Sequence, residues 1–217
     1  MEPPALMYHG SVRDEQVKVF HTVPPLDPAD LVRGQFRGYR QEPGVTPKSQ
    51  METFAAVRLH IESWRWAGVP FVIRAGKCLP VTTEVLVKLR QPPLTNLAAG
   101  ESNYLRVRLS PQIALNLGAR IKRPGATMVS MPVELSAVER SEGDELDPYD
   151  RLLGDAMRGD ALLFVRQDAV QAAWSIVEPI LGDVTPVHEY EPGTWGPAEA
   201  EGLAADIEGW HNPQEEP

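Results

Sequence analysis

Two spacings of apolar residues divide the chain. Near the amino end, RDEQVKVF at 13–20 sets Val17 and Phe20 on one side of a helical turn with charges elsewhere, so a short helix is expected there. Pro24 and Pro25 end it and make 23–30 an extended connector, after which VRGQF at 32–36 offers a brief strand. The loop QEPGVTPKS at 41–49 interrupts the chain. From Met51 the pattern turns to strands: METFAAVRLHIE, PFVIRAGK at 70–77, EVLVKLRQ at 84–91, NYLRVRLSP at 103–111, ALNLGARI at 114–121 and MVSMPVELS at 128–136. Two alternate cleanly. Leu105, Val107 and Leu109 point one way and Arg106 and Arg108 the other, while Val129, Met131, Val133 and Leu135 alternate with Ser130, Pro132 and Glu134. One face of this sheet is therefore wet or meets a polar partner.

No helix-length segment separates these strands except the turn around Trp64 to Gly68, which favours antiparallel pairing. The helical period returns after Ser136. In DPYDRLLGDAMRGD at 147–160, Asp147 suits an N-cap, Pro148 the first helical position, and Tyr149, Leu152, Leu153, Ala156 and Met157 one stripe. A second helix, 168–181, spaces Val170, Ala173, Trp174, Val177 and Leu181 helically, with Pro179 in its last turn. Both need a surface to cover, and the sheet supplies one. Residues 190–210 read as a Pro/Gly loop followed by a short helix opened by Pro197. The expectation is an α+β fold, a large mainly antiparallel sheet with helices packed on one face. It forms a single domain over 1–217, with 1–30 a helix and linker leading in and 211–217 a frayed tail.

Composition narrows the function classes. At 42% hydrophobic residues, 217 residues can bury a core. Lys and Arg number 21 against 30 Asp and Glu, and the net charge of −9 repels phosphate backbones and anionic membranes, so neither nucleic acid nor membrane is an expected partner. Cys78 is the only cysteine, which excludes an internal disulfide and points to a reducing, cytoplasmic setting. The start MEPPALMYHGS has no export-signal pattern, and no stretch reaches the roughly 20 apolar residues of a membrane span.

Familiar catalytic signatures are absent: no G-x-G-x-x-G, G-x-x-x-x-G-K-[ST], H-E-x-x-H or G-x-S-x-G occurs. None of the five histidines pairs with another at ligand spacing on a helix, so no metal site and no catalytic residue is nominated. The densest constellation is RWAGVPFVIRAGKCLP at 65–80. Arg65, Arg74 and Lys77 bring positive charge into an acidic chain, and Gly76 lets a bound group approach the backbone beside Lys77. The same spacing is also met by a solvated lysine at a strand end, with Trp64, Trp66, Val69, Phe71 and Ile73 as core. Cys78 reads as an inert thiol. Gly34, Gly38, Gly193 and Gly196 read as serving turns or close packing.

VRGQFRGYRQEPGV at 32–45, the stretch 49–80 ending in VPFVIRAGKCLP, YDRLLGDAMRGDALLFVRQDAVQAAWSIVEPIL at 149–181 and TWGPAEAEGL at 194–203 resemble successive motifs of glucose-6-phosphate dehydrogenase, in the same order. MEPP at 1–4 and RDEQVKVF resemble an interior passage of that family, so the likeness spans the chain but only the carboxyl-terminal part of the family. It implies a sheet whose free face dimerises. It also implies hydride transfer from C1 of glucose 6-phosphate to NADP, yielding 6-phosphogluconolactone, with a His–Asp pair removing the C1 hydroxyl proton. The cofactor domain and base histidine of the family lie upstream of the passage resembling MEPP.

Residue by residue, the resemblance carries over Lys77, whose counterpart contacts the sugar phosphate, and Arg74, whose counterpart in some members helps hold a second, structural NADP. Two departures stand out: no basic residue follows among Pro80, Val81, Thr82 and Thr83, and Ser110 precedes Pro111 where family members commonly have glutamine. The expected function is the substrate-binding and dimerisation half of an NADP-dependent glucose-6-phosphate dehydrogenase, inactive alone. It would act with glucose 6-phosphate and either as a homo-oligomer through the sheet or with a separate amino-terminal half. A non-catalytic dimerising or regulatory module, or a truncated gene remnant, is the alternative.

Overall fold

The computed structural model describes residues 3–5, 10–91, 102–125, 129–139, 148–161 and 164–213. The expected Asp147 cap and the end of the tail, 214–217, lie outside them. The chain divides into two compact units, Met1–Leu79 with Leu146–Trp210, and Pro80–Glu145 with His211–Pro217. Each unit contains one four-stranded sheet, so the single large sheet expected from the strand series is resolved as two. The class is α+β and the pairing mostly antiparallel, as the strand spacing implies.

The first unit orders its strands β3-β2-β1-β8, with β1 Leu31–Phe36, β2 Phe54–His60, β3 Pro70–Gly76 and β8 Val187–Tyr190. β2 and β3 pair antiparallel along their whole length, from Phe54 opposite Gly76 to His60 opposite Pro70. β8 joins β1 in parallel, with Arg33 opposite Val187 and Phe36 opposite Tyr190. The sequence pattern missed this strand, because four residues, two of them polar, fall below the length at which alternation registers.

Side chains alternate across β2, and each face collects its own core. On one side lie α1 (Ser11–Phe20) and α3 (Gln167–Val177). Ile176 of α3 and Ile180 of the 3-10 turn Glu178–Ile180 bury against Leu26 and Leu31, with Phe20, Val57 and Leu59 packed alongside. On the other side Phe54 and Ala56 join Tyr190, Ala200 and Leu203, and the 3-10 segment Ala198–Ile207 lies over them. Pro197 stands at its entrance as the N-cap residue. Helix α2 (Pro148–Arg158) departs from expectation: Tyr149, Leu153 and Met157 of its apolar stripe are exposed, and Asp155, paired with Arg158, is its buried residue.

Two polar residues of β1 are buried and hydrogen-bonded, with the Arg33 Nε the one side-chain nitrogen of the pair that finds no partner among the described residues. Arg33 donates to the carbonyls of Gln50 and Thr185, both at 3.0 Å, and to the Glu52 carboxylate at 2.8 Å. Gln35 donates to the Met51 carbonyl at 2.8 Å. These bonds tether the segments around 50 and 185 to the sheet, since leaving either group unpaired in the interior costs more than the bond itself gains. Burial pushes the Glu52 carboxyl up, but the Arg33 hydrogen bond, a bond to its own backbone and the Arg33 charge together hold it below the usual carboxylate range.

The second unit orders its strands β4-β5-β6-β7, with β4 Thr83–Lys88, β5 Tyr104–Ser110, β6 Ala114–Lys122 and β7 Ser130–Val138. The register stacks like with like. Val87, Leu105, Leu117 and Leu135 form one cross-strand row and Val85, Val107, Leu115 and Ala137 the next, while the alternate rows hold Leu86, Arg106, Asn116 and Ser136 and then Lys88, Tyr104, Gly118 and Glu134. The apolar face is the exposed one: Leu117 retains 43% of its accessible surface and Leu135 67%. The sheltered face is polar, with Asn116 at 4% exposure and the Glu84 side chain at 3%. This reverses the usual arrangement of a sheet with one wet face. The polar groups form a network in which Arg106, Asn116 and the Tyr104 hydroxyl all donate to Glu134. The Tyr104 bond, reinforced by Asn116 and Arg106, outweighs burial and holds the Glu134 carboxyl below its usual range. Tyr104 lies flat over Gly118, where an added Cβ would sit 2.2 Å from its ring.

Phe54, 1% exposed, fills the core of the first unit, and Gly196 meets it with φ +106. A Cβ at Gly196 would stand 2.4 Å from the ring. Gly196→Ala therefore combines an unfavourable backbone with a clash, and denaturant titration should register a loss of about 3 kcal/mol.

Candidate functional site

Lys77 follows immediately on β3, at the turn that leaves the sheet. Its backbone is fixed on both sides. Its N–H donates to the Thr53 carbonyl at 2.8 Å, and its own carbonyl accepts from the Tyr190 hydroxyl at 2.6 Å. The next carbonyl, that of Cys78, accepts from the Gly193 N–H at 2.7 Å. Cys78 itself sits at φ +56, a left-handed conformation uncommon for a residue with a side chain. The Lys77 side chain is exposed and has no hydrogen bond or ion pair among the described residues. An ammonium in that condition is available to an anion or to sugar hydroxyls.

Gly76 has a second role that spacing did not indicate. A Cβ there would lie 3.0 Å from both the Phe54 ring and the Thr53 carbonyl, so close packing on the protein side already requires glycine. Tyr190 is buried against Phe54, ring centroids 5.5 Å apart. Burial pushes its phenol above the ordinary value; the Thr53 bond opposes this and the Cys78 charge adds to it. The hydroxyl thus stays protonated and able to donate.

Arg74, three residues before Lys77, does not reach the same space as an open cation. Its guanidinium carbon lies 4.7 Å from the ring centres of both Trp195 and Trp210. Indole faces attract a guanidinium electrostatically, and here one cation lies over two of them. Burial lowers the Arg74 pKa, and the charge of Glu201 partly restores it. Trp210 is itself anchored by an Nε1–H bond to the Ala200 carbonyl at 2.8 Å. The cation therefore clasps the end of the first unit onto β3. Trp66 and Phe71 from the same constellation pack edge to face at 5.3 Å but are only half-buried and belong to neither core cluster, while Trp64 and Ile73, also expected in the core, are exposed.

Thr53, Tyr190, Trp195 and Trp210 escaped the sequence reading as site residues. The Thr53 carbonyl and the Tyr190 hydroxyl that hold Lys77 lie 24 and 113 residues from it, and no local spacing signals such a pairing. Among the described residues no group of three or more His, Cys, Asp or Glu is placed to hold a metal, and no helix is long and apolar enough to cross a membrane.

A two-unit α+β chain presenting a lone lysine beyond a Phe-packed strand end can be compared with known proteins. Residues 1–211 match the family model described as glucose-6-phosphate dehydrogenase, C-terminal domain. The glucose-6-phosphate 1-dehydrogenase of Aggregatibacter actinomycetemcomitans is 39% identical over 226 aligned positions, covering 94% of this chain and 46% of that protein. One from Mycobacterium tuberculosis is 38% identical, covering 98% and 46%. Among solved structures, glucose-6-phosphate 1-dehydrogenase from Mycobacterium avium superposes with a TM-score of 0.89 at 38% identity, over 100% of this chain and 48% of that one. A glucose-6-phosphate dehydrogenase in complex with glucose-6-phosphate superposes at 0.86 and 31% identity. The chain belongs to the glucose-6-phosphate dehydrogenase C-terminal domain family, and it spans about half the length of these relatives.

A flexible ammonium cannot present a flat cation to two rings at once. Arg74→Lys should cost about 1–2 kcal/mol. The Trp195 and Trp210 emission would shift accordingly during denaturation, with a lower midpoint than the parent chain.

Proposed function

We propose that this chain is the sugar-phosphate-binding and subunit-pairing half of an NADP-dependent glucose-6-phosphate dehydrogenase of the oxidative pentose phosphate route, working in the cytoplasm. The observation that carries the reading is Lys77: a lysine in the family's RAGK motif, its backbone held at three successive points and its ammonium unengaged. In this role Lys77 donates to oxygens of glucose 6-phosphate and orients the sugar, so that C1 faces the nicotinamide. NADP would supply the hydride acceptor. The residues that hold it and the base that takes the C1 hydroxyl proton belong to the other half of the relatives' length, either in one polypeptide with this chain or as a separate partner.

A second, structural NADP at Arg74 fits poorly. The guanidinium already lies over two indoles and an acidic neighbour, Glu201, stands within electrostatic range, so a diphosphate would compete with Trp195 and Trp210 for it. We read Arg74 as a clasp.

The apolar face of the second sheet supports the pairing role. Leu105, Leu115, Leu117, Leu135 and their valine neighbours present a continuous apolar surface, and like surfaces of two copies can cover each other about a two-fold axis.

Two measurements test the reading. Calorimetric titration with glucose 6-phosphate should detect binding that Lys77→Ala weakens more than about tenfold without abolishing it, and this chain should reduce NADP only when mixed with a separately produced amino-terminal half; unchanged affinity in the variant, or turnover by this chain unaided, would refute it. Leu117→Arg, which sets a charge in the middle of the apolar rows, should convert a dimer to a monomer in sedimentation velocity without altering the circular dichroism spectrum.

A further inference from the structure

We infer that Tyr190, acting with Thr53, is a positioning residue for Lys77: it locks the backbone that carries the ammonium and thereby sets the affinity for the sugar phosphate. The inference rests on the role of Lys77 proposed above.

Three segments converge on this point. Thr53 accepts the Lys77 N–H through its carbonyl, while its hydroxyl accepts from the Phe36 N–H at 3.0 Å and lies 3.2 Å from the Tyr190 phenol oxygen. Its own N–H donates to the Gly34 carbonyl at 2.8 Å. Thr53 is thus tied to β1, and Lys77 is tied to Thr53. Tyr190, at the end of β8, contributes the hydroxyl that caps the Lys77 carbonyl. Behind it Gly193, three residues on, holds the Cys78 carbonyl.

Two features separate this from ordinary packing. The left-handed φ of Cys78 is an unfavourable state that must be imposed by its surroundings, and the hydrogen bonds that impose it are the pair on the Lys77 and Cys78 carbonyls. The side chain between those anchored carbonyls is left free, so only its own torsions remain to be ordered when an anion arrives. Losing the phenol hydroxyl releases the first carbonyl, lets residues 77 and 78 relax, and charges the ordering of that turn against ligand affinity.

Cys78 makes the idea measurable, because it is the only cysteine in the chain, is exposed, and adjoins Lys77. Its rate of alkylation by iodoacetamide reports how firmly the turn is held. Tyr190→Phe keeps the ring against Phe54 and removes only the donor. It is expected to speed Cys78 alkylation several-fold and to weaken glucose 6-phosphate binding by about tenfold, the factor for one buried hydrogen bond. In a Lys77→Ala background the same change should have no further effect on binding, because Tyr190 acts through Lys77. Thr53→Val should reproduce the Tyr190→Phe behaviour and Thr53→Ser should preserve the parent behaviour, both with unchanged circular dichroism.

Alkylation at the parent rate in Tyr190→Phe overturns the clamp. Faster alkylation accompanied by a binding loss that persists without Lys77 overturns its action through that lysine. If Lys77→Ala itself leaves binding intact, the sugar-phosphate role of Lys77 fails, while the alkylation rate still decides whether Tyr190 holds the turn.

Discussion

The ring of Phe54 is the constraint around which the first unit is arranged. Three glycines from three separate segments face it: Gly34 on β1, Gly76 at the end of β3, and Gly196 in the loop after β8, each with Cβ positions that would fall within 3.1 Å of the ring. No other residue type permits backbone to approach an aromatic face so closely from three sides. The position of that ring fixes where β3 ends, and hence where Lys77 leaves the sheet. Arg33 and Gln35, one strand away, fasten the segment that delivers Phe54 by bonding the carbonyls of Gln50 and Met51. The presentation of one ammonium is therefore a consequence of core packing and of buried polar bonds acting on the same few residues.

Much of this was legible in the sequence. The strands from Phe54 to Val138 and helices α1 and α3 follow from periodicity as elements, but not their covered sides: of the stripe expected to pack α3, Val170, Trp174 and Leu181 are exposed, and Ala169, Ala172 and Ile176 are buried instead. RAGK could be picked out because three basic residues cluster in an acidic chain, and the family resemblance is what points to a sugar-phosphate role for Lys77. What the pattern could not convey is long-range: β8 is too short to announce itself, and the Tyr190–Lys77 bond joins residues with no local relation. Gly76 was readable as special, yet the cause is an aromatic ring on the neighbouring strand as well as any bound group. Arg74, read as a ligand-facing cation, spends its charge on two indoles contributed from more than a hundred residues away.

The second sheet shows a different limit of reading from pattern. Alternation correctly assigned Leu105 and Val107 to one face and Arg106 and Arg108 to the other, but alternation is silent about which face is covered. Here the charged rows are sheltered and internally paired through Glu134 and Glu84, while the leucines look outward. Sheltering charges is tolerable where each finds an opposite charge, as Arg106 does in Glu134 and Arg108 in Glu84. Helix α2 repeats the theme, with an aspartate buried and its apolar stripe open.

That outward-facing leucine surface has a thermodynamic corollary. Any molecule that covers it in the folded state and ignores the unfolded chain adds stability in proportion to the logarithm of its concentration. Were that molecule a second copy of this chain, dilution would lower the melting temperature, and resistance to proteolysis in a cell would depend on how much of the protein is made.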